Sequence, residues 1–513
     1  MRNKFELEDY EPVTPSRSRR QFSSTETDDG SAELRAVEPV VVLNTPARVH
    51  SQLATSDPHK NSSSDSQSTP VHSQPRWALK RGHSLTYLGL FLFTFLVYFR
   101  PYELFPSLAW LSKSALIAAI ITLALFVPTQ LGLEDRITAK LREVKLALAL
   151  LLTGLLSIPL ALEPSRAFQS LVDFFKVIVM FVVMVNVVRT EKRLRGLILL
   201  VLLASCVLSV AALSDYAHGN LVLQGRRIAG VIGGLFSNPN DLALHLVTMI
   251  PISLTMFFGS RGPLHKTLYL ICSLLLTVGL VATFSRGGFL GFVFVIAFLV
   301  WKLARRNRII FGAVALTLVM AAVALAPGAY RSRLATTSDD SAAARTDDLK
   351  RSILVAARHP LFGVGMDNYI LYSNMNKATH NAYTQVAAEM GLAAFVFYVW
   401  FLVSPFKRLR RIELATGTSK RKPPVYYLTI GLQASLVGYL VVSFFASVAY
   451  LWYVYYLVAY GVCLRRIYAR VAEDPESASN SKLQSAMISP TGQSHQSSSV
   501  DVNRTVAVGG KYR

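Results

Sequence analysis

Cysteine is scarce in this sequence, and its placement argues against two kinds of centre. The chain has three cysteines among 513 residues. Each of them, Cys206, Cys272 and Cys463, lies inside an apolar run and lacks metal-like spacing. Disulfide frameworks and zinc sites both need clustered or regularly spaced cysteines. We therefore expect neither.

An early apolar segment is also lacking. The first long apolar run begins near Ser84, so no signal peptide is expected. Residues 1–82 are rich in Ser, Thr, Pro, Gln, Asp and Arg, and residues 471–513 contain Ser and Gln runs. Such segments bury too little apolar surface to fold alone. Both are predicted to be disordered tails.

The rest of the chain is too apolar for a soluble protein of this length. Apolar residues make up 52% of the sequence, which is typical of polytopic membrane proteins. The net charge of +22 would suit nucleic acid, but the basic residues fall in short clusters between apolar runs. That is the pattern of cytoplasmic loops. We expect an all-α membrane domain at residues 83–470 and no nucleic-acid partner.

The apolar runs predict about twelve transmembrane helices, each near the roughly 20 residues that a bilayer requires. The runs cover residues 84–99, 108–127, 146–162, 171–188, 194–213, 242–258, 267–283, 288–303, 309–326, 390–406, 426–445 and 448–464. Every second connecting loop is dense in lysine and arginine. Because positive loops remain in the cytoplasm, both termini are predicted to be cytoplasmic and the large loop at residues 327–388 periplasmic.

The loops on the predicted outer side contain arginine and almost no lysine. Arg226 and Arg227 share one loop, Arg286 lies in a short turn, and Arg345 lies in the large loop. Guanidinium groups make two-point, permanently charged contacts with phosphate oxygens. The set therefore indicates a pyrophosphate or another polyanion. Alternatively, these arginines contact lipid headgroups or pair with acidic residues of the large loop.

Arg286 belongs to the sequence Ser285-Arg286-Gly287-Gly288, between two apolar runs. An arginine at a membrane helix junction is costly unless it has a partner. The two glycines allow the backbone to approach a ligand, and their N–H groups would add donors beside the guanidinium. This turn is therefore a candidate anion site.

A histidine follows the large loop, where the next apolar run begins. Thr379 is a good N-cap residue, so His380 is predicted to lie in the first helical turn, where the helix dipole disfavours an imidazolium. A neutral imidazole there suits the activation or orientation of a hydroxyl group. The alternative is a capping or interfacial histidine. Glu389 is expected to support helix packing beside Gly391.

The large loop is expected to be folded. Apolar positions at helical spacing predict an amphipathic surface helix over residues 347–358. The pair His359-Pro360 ends this helix, and residues 361–369 predict a tight glycine turn with an aromatic anchor.

Four motifs follow one another in the chain. They are Arg227…Gly230…Phe236-Ser237-Asn238-Pro239-Asn240, then Phe284-Ser285-Arg286-Gly287-Gly288, then Arg345…His359-Pro360-Leu361-Phe362-Gly363-Val364-Gly365, and finally His380-Asn381-Ala382-Tyr383…Glu389-Met390-Gly391. In this order, the motifs resemble the O-antigen ligase and O-antigen polymerase family of bacterial envelope glycosyltransferases. The resemblance covers roughly residues 84–470.

The resemblance implies a GT-C-like membrane glycosyltransferase that uses neither metal nor cofactor. Such enzymes move a glycan from an undecaprenyl-pyrophosphate donor to an acceptor hydroxyl, on a glycan or on lipid A core. The reaction takes place at the periplasmic face of the bacterial inner membrane. Further expected partners are membrane lipids and envelope-assembly proteins, the latter bound through the cytoplasmic tails.

The resemblance also implies residue roles. His380 matches the family's essential histidine, which activates or orients the acceptor. Arg286 and Arg227 match arginines that bind the donor pyrophosphate, with Arg226 as the alternative to Arg227. Arg345 matches a loop arginine, which we place in the same donor-binding set. The motif neighbours expected to support the site are Ser285, Gly287, Asn381, Tyr383 and Glu389.

The motifs do not separate a ligase from a polymerase, because both use the same donor, although the resemblance slightly favours a surface-polysaccharide or exopolysaccharide polymerase. A transporter or flippase of lipid-linked sugars is the second hypothesis. Transporters more often show internal repeats and charges at mid-membrane depth, whereas the polar residues here cluster at one face. A structural envelope-assembly protein would leave the arginines and His380 without a role.

Overall fold

The computed structural model describes residues 76–303 and 340–473, apart from residues 105, 135–136, 140, 220–235, 237 and 374–376. Throughout this described part the chain forms helices and connecting loops, with no β-strand. Most of both predicted tails, the predicted helix at residues 309–326, and the arginines Arg226 and Arg227 lie outside it.

The α-helices of the described residues are numbered in chain order. The first seven are α1 Arg76–Phe99, α2 Pro101–Leu104, α3 Ser114–Glu134, α4 Arg142–Ser157, α5 Pro164–Val187, α6 Glu191–Ala217 and α7 Pro239–Gly259. The remaining six are α8 Pro263–Ala282, α9 Arg286–Leu303, α10 Asp340–Arg358, α11 Ala382–Thr416, α12 Pro424–Val442 and α13 Trp452–Glu473.

Within the described residues, ten helical segments are long and apolar enough to cross a membrane. They correspond to ten of the runs predicted from the sequence. The last predicted run, at residues 448–464, forms helix α13 and is not among the ten. The described part of the chain is therefore all-helical and typical of a multi-pass membrane protein, and the total of about twelve spans remains a prediction.

Helix α7 lies at the centre of the bundle, and α12 packs along it. The apolar stretch of α7 is 78% buried, against 28% for the stretch that includes α3. Small residues permit the close approach: a Cβ atom on Gly431 of α12 would lie 2.1 Å from Thr255 Oγ1 of α7. Ser435 also donates a hydrogen bond to Thr248 O at 2.6 Å. Such contacts hold membrane helices together, because lipid competes for apolar side chains.

Buried ion pairs join helices at the end of the bundle that contains the basic loops. Glu143 of α4 is fully buried, and its carboxylate lies 2.9 Å from Arg465 of α13 and 3.7 Å from Arg408 of α11. Lys302 of α9 pairs with Glu413 of α11 at 2.8 Å. Removing one partner of such a pair is costly, so these contacts fix the helices relative to one another.

Helix α10 confirms the predicted amphipathic helix and begins earlier than expected, at Asp340. It ends directly before the His-Pro pair, and the next turn contains Gly363 at φ +67°. Tyr369 is the predicted aromatic anchor: it is buried, and its hydroxyl donates to Asp348 O at 3.0 Å. This part of the large loop is therefore folded against its own helix.

We expect Glu143→Gln to lower the free energy of unfolding by about 3 kcal/mol, because two arginines then lose the carboxylate between them. Thermal unfolding in detergent measures this loss. The matched control is Asp173→Asn, since Asp173 is 62% exposed and pairs with Lys176 of the same helix at 2.7 Å. The control is expected to cost less than about 0.5 kcal/mol. Equal losses of unfolding free energy in the two variants would contradict the stabilising role of the ion pairs of Glu143.

Candidate active site

Helix α11 is interrupted near its start, at Gly391, whose φ and ψ angles are 86° and 174°. An interruption leaves backbone groups without helical partners. The turn at residues 360–365 pairs with them through three hydrogen bonds. The bonds run from Val364 N–H to Ala388 O at 2.9 Å, from Gly365 N–H to Glu389 O at 3.0 Å, and from Leu392 N–H to Pro360 O at 2.8 Å. We call this pairing the turn–helix junction.

Glycine is required on both sides of the turn–helix junction. A Cβ atom on Gly391 would lie 2.3 Å from Leu361 O, and one on Gly363 would lie 2.3 Å from the carbonyl carbon of Glu389. Both glycines also have positive φ angles, which other residues adopt only at a cost. Two motifs that are separate in the sequence are therefore the two halves of one backbone contact.

The same turn is also attached to the connection between α4 and α5. The Asn368 side chain accepts a hydrogen bond from Glu163 N–H at 2.8 Å and donates one to Glu163 O at 3.3 Å. Asp367 pairs with Arg166 at 2.8 Å. Because the turn is held on two sides, α10 and the start of α11 have a fixed relative position.

His380 lies just before α11, so the expectation that Thr379 caps this helix is wrong. Asn381 is the N-cap: its side chain accepts hydrogen bonds from Tyr383 N–H at 2.9 Å and Thr384 N–H at 3.1 Å. The Thr379 hydroxyl instead donates to Asn381 O at 3.0 Å. His380 therefore precedes the first helical turn, in a left-handed conformation with φ +51°. Such strain in a non-glycine residue is common at functional sites.

Arg286 is the first residue of α9, and Ser285 caps that helix. The Ser285 hydroxyl accepts a hydrogen bond from Gly288 N–H at 3.2 Å and donates one to Asn240 Oδ1 at 2.9 Å. The expectation that the Gly288 N–H faces a ligand is therefore wrong, because Ser285 already binds it. Ser285 itself acts as a support that joins the start of α9 to the start of α7.

One cavity of about 400 Å³ lies where these segments meet. Its volume falls within the range of small-molecule sites in proteins. Residues from α7, α9, α10, the segment before α11 and the turn after α12 line it. They are Asn240, Phe284, Arg286, Gly287, Leu290, Arg345, Thr346, Leu349, Thr379, His380, Asn381, Phe444 and Phe445.

The cavity brings together several residues that the sequence predicts for the site. Arg286 comes from α9, Arg345 from α10, and His380 with Asn381 from the segment before α11. Two guanidinium groups and one imidazole thus face a common space from three parts of the chain. Gly287 lines the same space beside Arg286.

Three predicted supporting residues lie outside the cavity lining, namely Ser285, whose contacts are given above, Tyr383 and Glu389. The Tyr383 hydroxyl donates to Leu440 O at 2.8 Å, which ties the start of α11 to the end of α12. The buried carboxylate of Glu389 accepts a hydrogen bond from the Tyr450 hydroxyl at 2.8 Å. Glu389 therefore supports packing beside the helix interruption, as expected from the sequence.

The surroundings of His380 favour its neutral form. Burial lowers the pKa of His380 below its ordinary value, and the positive charges of Arg345 and Lys377 lower it further. Asp348 acts in the opposite direction and raises it. The predicted neutral imidazole thus arises from burial and neighbouring charge rather than from the helix dipole.

Sequence reasoning assigned no site role to two polar residues, Asn240 in the cavity lining and Asp348 beside the cavity. Asp348 lies three residues after Arg345 on α10, which places both on one side of that helix. The predicted helix begins at residue 347, so no signal in the sequence relates Asp348 to Arg345. In the described part of the chain, no three His, Cys, Asp or Glu residues come together to hold a metal ion.

We expect Gly391→Ala to open the turn–helix junction, because the new Cβ atom would overlap Leu361 O. Hydrogen–deuterium exchange of peptides covering residues 360–365 measures the opening, with faster exchange expected at Val364 and Gly365. The matched control is Gly461→Ala in α13, where the nearest atom to a Cβ would be 3.5 Å away. Unchanged exchange in Gly391→Ala would contradict the requirement for glycine.

Part of the chain that forms this site is also similar to a known protein family. Residues 271–399 match the family model described as O-antigen ligase. The matched segment is about a quarter of the chain and runs from α8 into α11, so it includes Arg286, Arg345 and His380. A comparison with curated proteins found no match. Within residues 271–399 the chain is therefore similar to the O-antigen ligase family, which confirms the resemblance for the motifs that lie in this segment.

Proposed function

We propose that this protein is a membrane glycosyltransferase that moves a glycan from an undecaprenyl-pyrophosphate donor to an acceptor hydroxyl. It acts as a polymerase or ligase of a surface polysaccharide or O-antigen, so the acceptor is a growing glycan or lipid A core. The observation that supports this proposal is the convergence of Arg286, Arg345 and His380 on one cavity within the family-matched segment.

The two arginines suit the donor end of the reaction. When the glycan leaves its carrier, negative charge grows on the oxygen between the anomeric carbon and the pyrophosphate. Fixed guanidinium groups in a partly enclosed site stabilise that charge more effectively than water does. Arg286 and Arg345 belong to different helices, so they can approach the pyrophosphate from two directions. Arg226 and Arg227 are proposed as further donor contacts from the resemblance alone.

His380 suits the acceptor end of the reaction. A neutral imidazole accepts a proton, and burial together with Arg345 keeps the pKa of His380 low. A bound pyrophosphate would neutralise the field of Arg345, which would raise the pKa of His380 and strengthen it as a base. Attack by the acceptor oxygen on the face opposite the leaving pyrophosphate would invert the anomeric centre.

The apolar side of the cavity suits a substrate that is partly embedded in the membrane. Phe284, Leu290, Phe444 and Phe445 contribute apolar surface to the cavity lining, and Phe444 is 47% exposed. We place this site at the periplasmic face of the inner membrane, with both termini in the cytoplasm, from the distribution of basic loops. The predicted tails at residues 1–82 and 471–513 are then available to envelope-assembly proteins.

The separate roles of the arginine and the histidine are testable in reconstituted vesicles. His380→Ala is expected to lower the turnover rate of glycan transfer about a hundredfold or more while donor affinity stays near that of the wild type. Arg286→Ala is expected to weaken donor binding roughly tenfold to a hundredfold, because a charge-assisted contact is lost. Donor binding and product formation are measured on the same preparations.

The matched controls are His265→Ala and Arg261→Ala, because Arg261 lies on the connection between α7 and α8 and His265 lies in the first turn of α8, both outside the cavity lining. Both controls are expected to behave as the wild type. An equal loss of donor affinity in His380→Ala and Arg286→Ala would contradict the separate roles. Full transfer activity in His380→Ala would contradict the proposed base.

A further inference from the structure

Asp348 is a buried carboxylate beside the cavity. It lies on α10, three residues after Arg345, and next to the lining residue Leu349. Asp348 is only 9% exposed, and its Oδ2 atom is buried without a hydrogen bond to any residue that the structure describes. Its backbone carbonyl is held by Tyr369 at 3.0 Å, so the position of the residue is fixed. A buried carboxylate needs a compensating positive charge.

The neighbouring carboxylate, that of Asp347, is exposed where that of Asp348 is buried. Asp347 is 71% exposed and lies 3.9 Å from Lys350, so it is a solvated surface group. The two residues have the same chemistry and adjacent positions in the sequence. Helix geometry directs one of them to solvent and the other to the interior. Of Asp347 and Asp348, Asp348 is therefore the one that can act on the cavity.

Several charged groups surround this part of the site. His380 and Lys377 come from the segment before α11, Arg351 and Asp347 from α10 itself, and Tyr369 from the following turn. Burial raises the pKa of Asp348, and His380 has the largest opposing influence on it. Arg345 and Arg286 line the same cavity as His380, and the charge of Arg345 lowers the pKa of His380.

We infer that Asp348 is a positioning residue for His380. The carboxylate of Asp348 stabilises the imidazolium of His380 that forms during glycan transfer. This inference rests on the proposed function. In the transfer step the acceptor O–H bond breaks and its proton goes to a ring nitrogen of His380. The acceptor oxygen forms the new bond to the anomeric carbon, and the old bond from that carbon to the phosphate oxygen breaks. Its electron pair leaves with the lipid pyrophosphate.

This role explains how the site can hold a histidine that is neutral at rest and still a usable base. Arg345, which we place in the donor-binding set, favours the neutral imidazole because its positive charge disfavours a second cation nearby. Asp348 favours the charged form, which exists only after the proton has moved. An aspartate that stabilises a histidine cation in this way is a known catalytic arrangement.

The test compares Asp348→Asn with Asp347→Asn in the full-length protein in vesicles, over a range of pH. Asp348→Asn is expected to lower kcat roughly tenfold to a hundredfold with little change in the KM for the donor. Transfer needs neutral His380, so activity falls as pH drops through the pKa of His380. Loss of the carboxylate lowers that pKa, and the acid limb of the profile is expected to move to lower pH. Asp348→Glu is expected to keep the acid limb of the wild type.

Asp347→Asn is the matched control and is expected to behave as the wild type. A lower kcat in Asp348→Asn with an unmoved acid limb, or equal effects of the two asparagine variants, would overturn the positioning role. If Asp348→Asn does not fold, Asp348→Ser replaces it, because serine also lacks the charge. Failure of both to fold would overturn the inference in favour of a purely structural role. Full activity in His380→Ala would instead overturn the proposed function, so the two failures are distinguishable.

Discussion

The candidate site depends on one backbone contact, the turn–helix junction. Gly391 interrupts α11, and the turn that contains Gly363 satisfies the backbone groups which the interruption leaves unpaired. That contact joins the end of α10 to the start of α11. Arg345 and Asp348 lie on the first of these helices, and His380 lies directly before the second. Without the junction, the arginine and the histidine would have no fixed separation.

A second constraint is the balance of charge within the cavity. Burial strengthens every electrostatic interaction, so two arginines, one histidine and one aspartate influence one another more strongly than they would in water. The arginines make the site suitable for an anion, and burial together with Arg345 and Lys377 favours the neutral imidazole of His380. Asp348 opposes the influence of Arg345 and Lys377 on the imidazole, and an anion bound to Arg345 would weaken that influence further. In the proposed reaction, substrate binding and proton transfer are linked through Arg345, which lines the same cavity as His380.

Much of the fold was predictable from the sequence, because a membrane helix must satisfy its backbone internally and therefore appears as a long apolar run. The convergence of Arg286, Arg345 and His380 also followed from the family motifs. The N-cap did not, because threonine and asparagine are both good caps and the sequence places Thr379 and Asn381 two positions apart. The turn–helix junction joins backbone atoms, which leave no signal in the sequence beyond glycine. The inward orientation of Asp348 depends on the helix register.

The most direct test of the central claim is a single-turnover measurement with wild-type protein in vesicles. The donor has separate labels on its undecaprenyl pyrophosphate and on its glycan, and an acceptor glycan or lipid A core is supplied. A glycosyltransferase is expected to release lipid pyrophosphate in the same amount as it forms glycosylated acceptor. Movement of intact donor across the bilayer, with no separation of the two labels, would contradict the account and support a transporter.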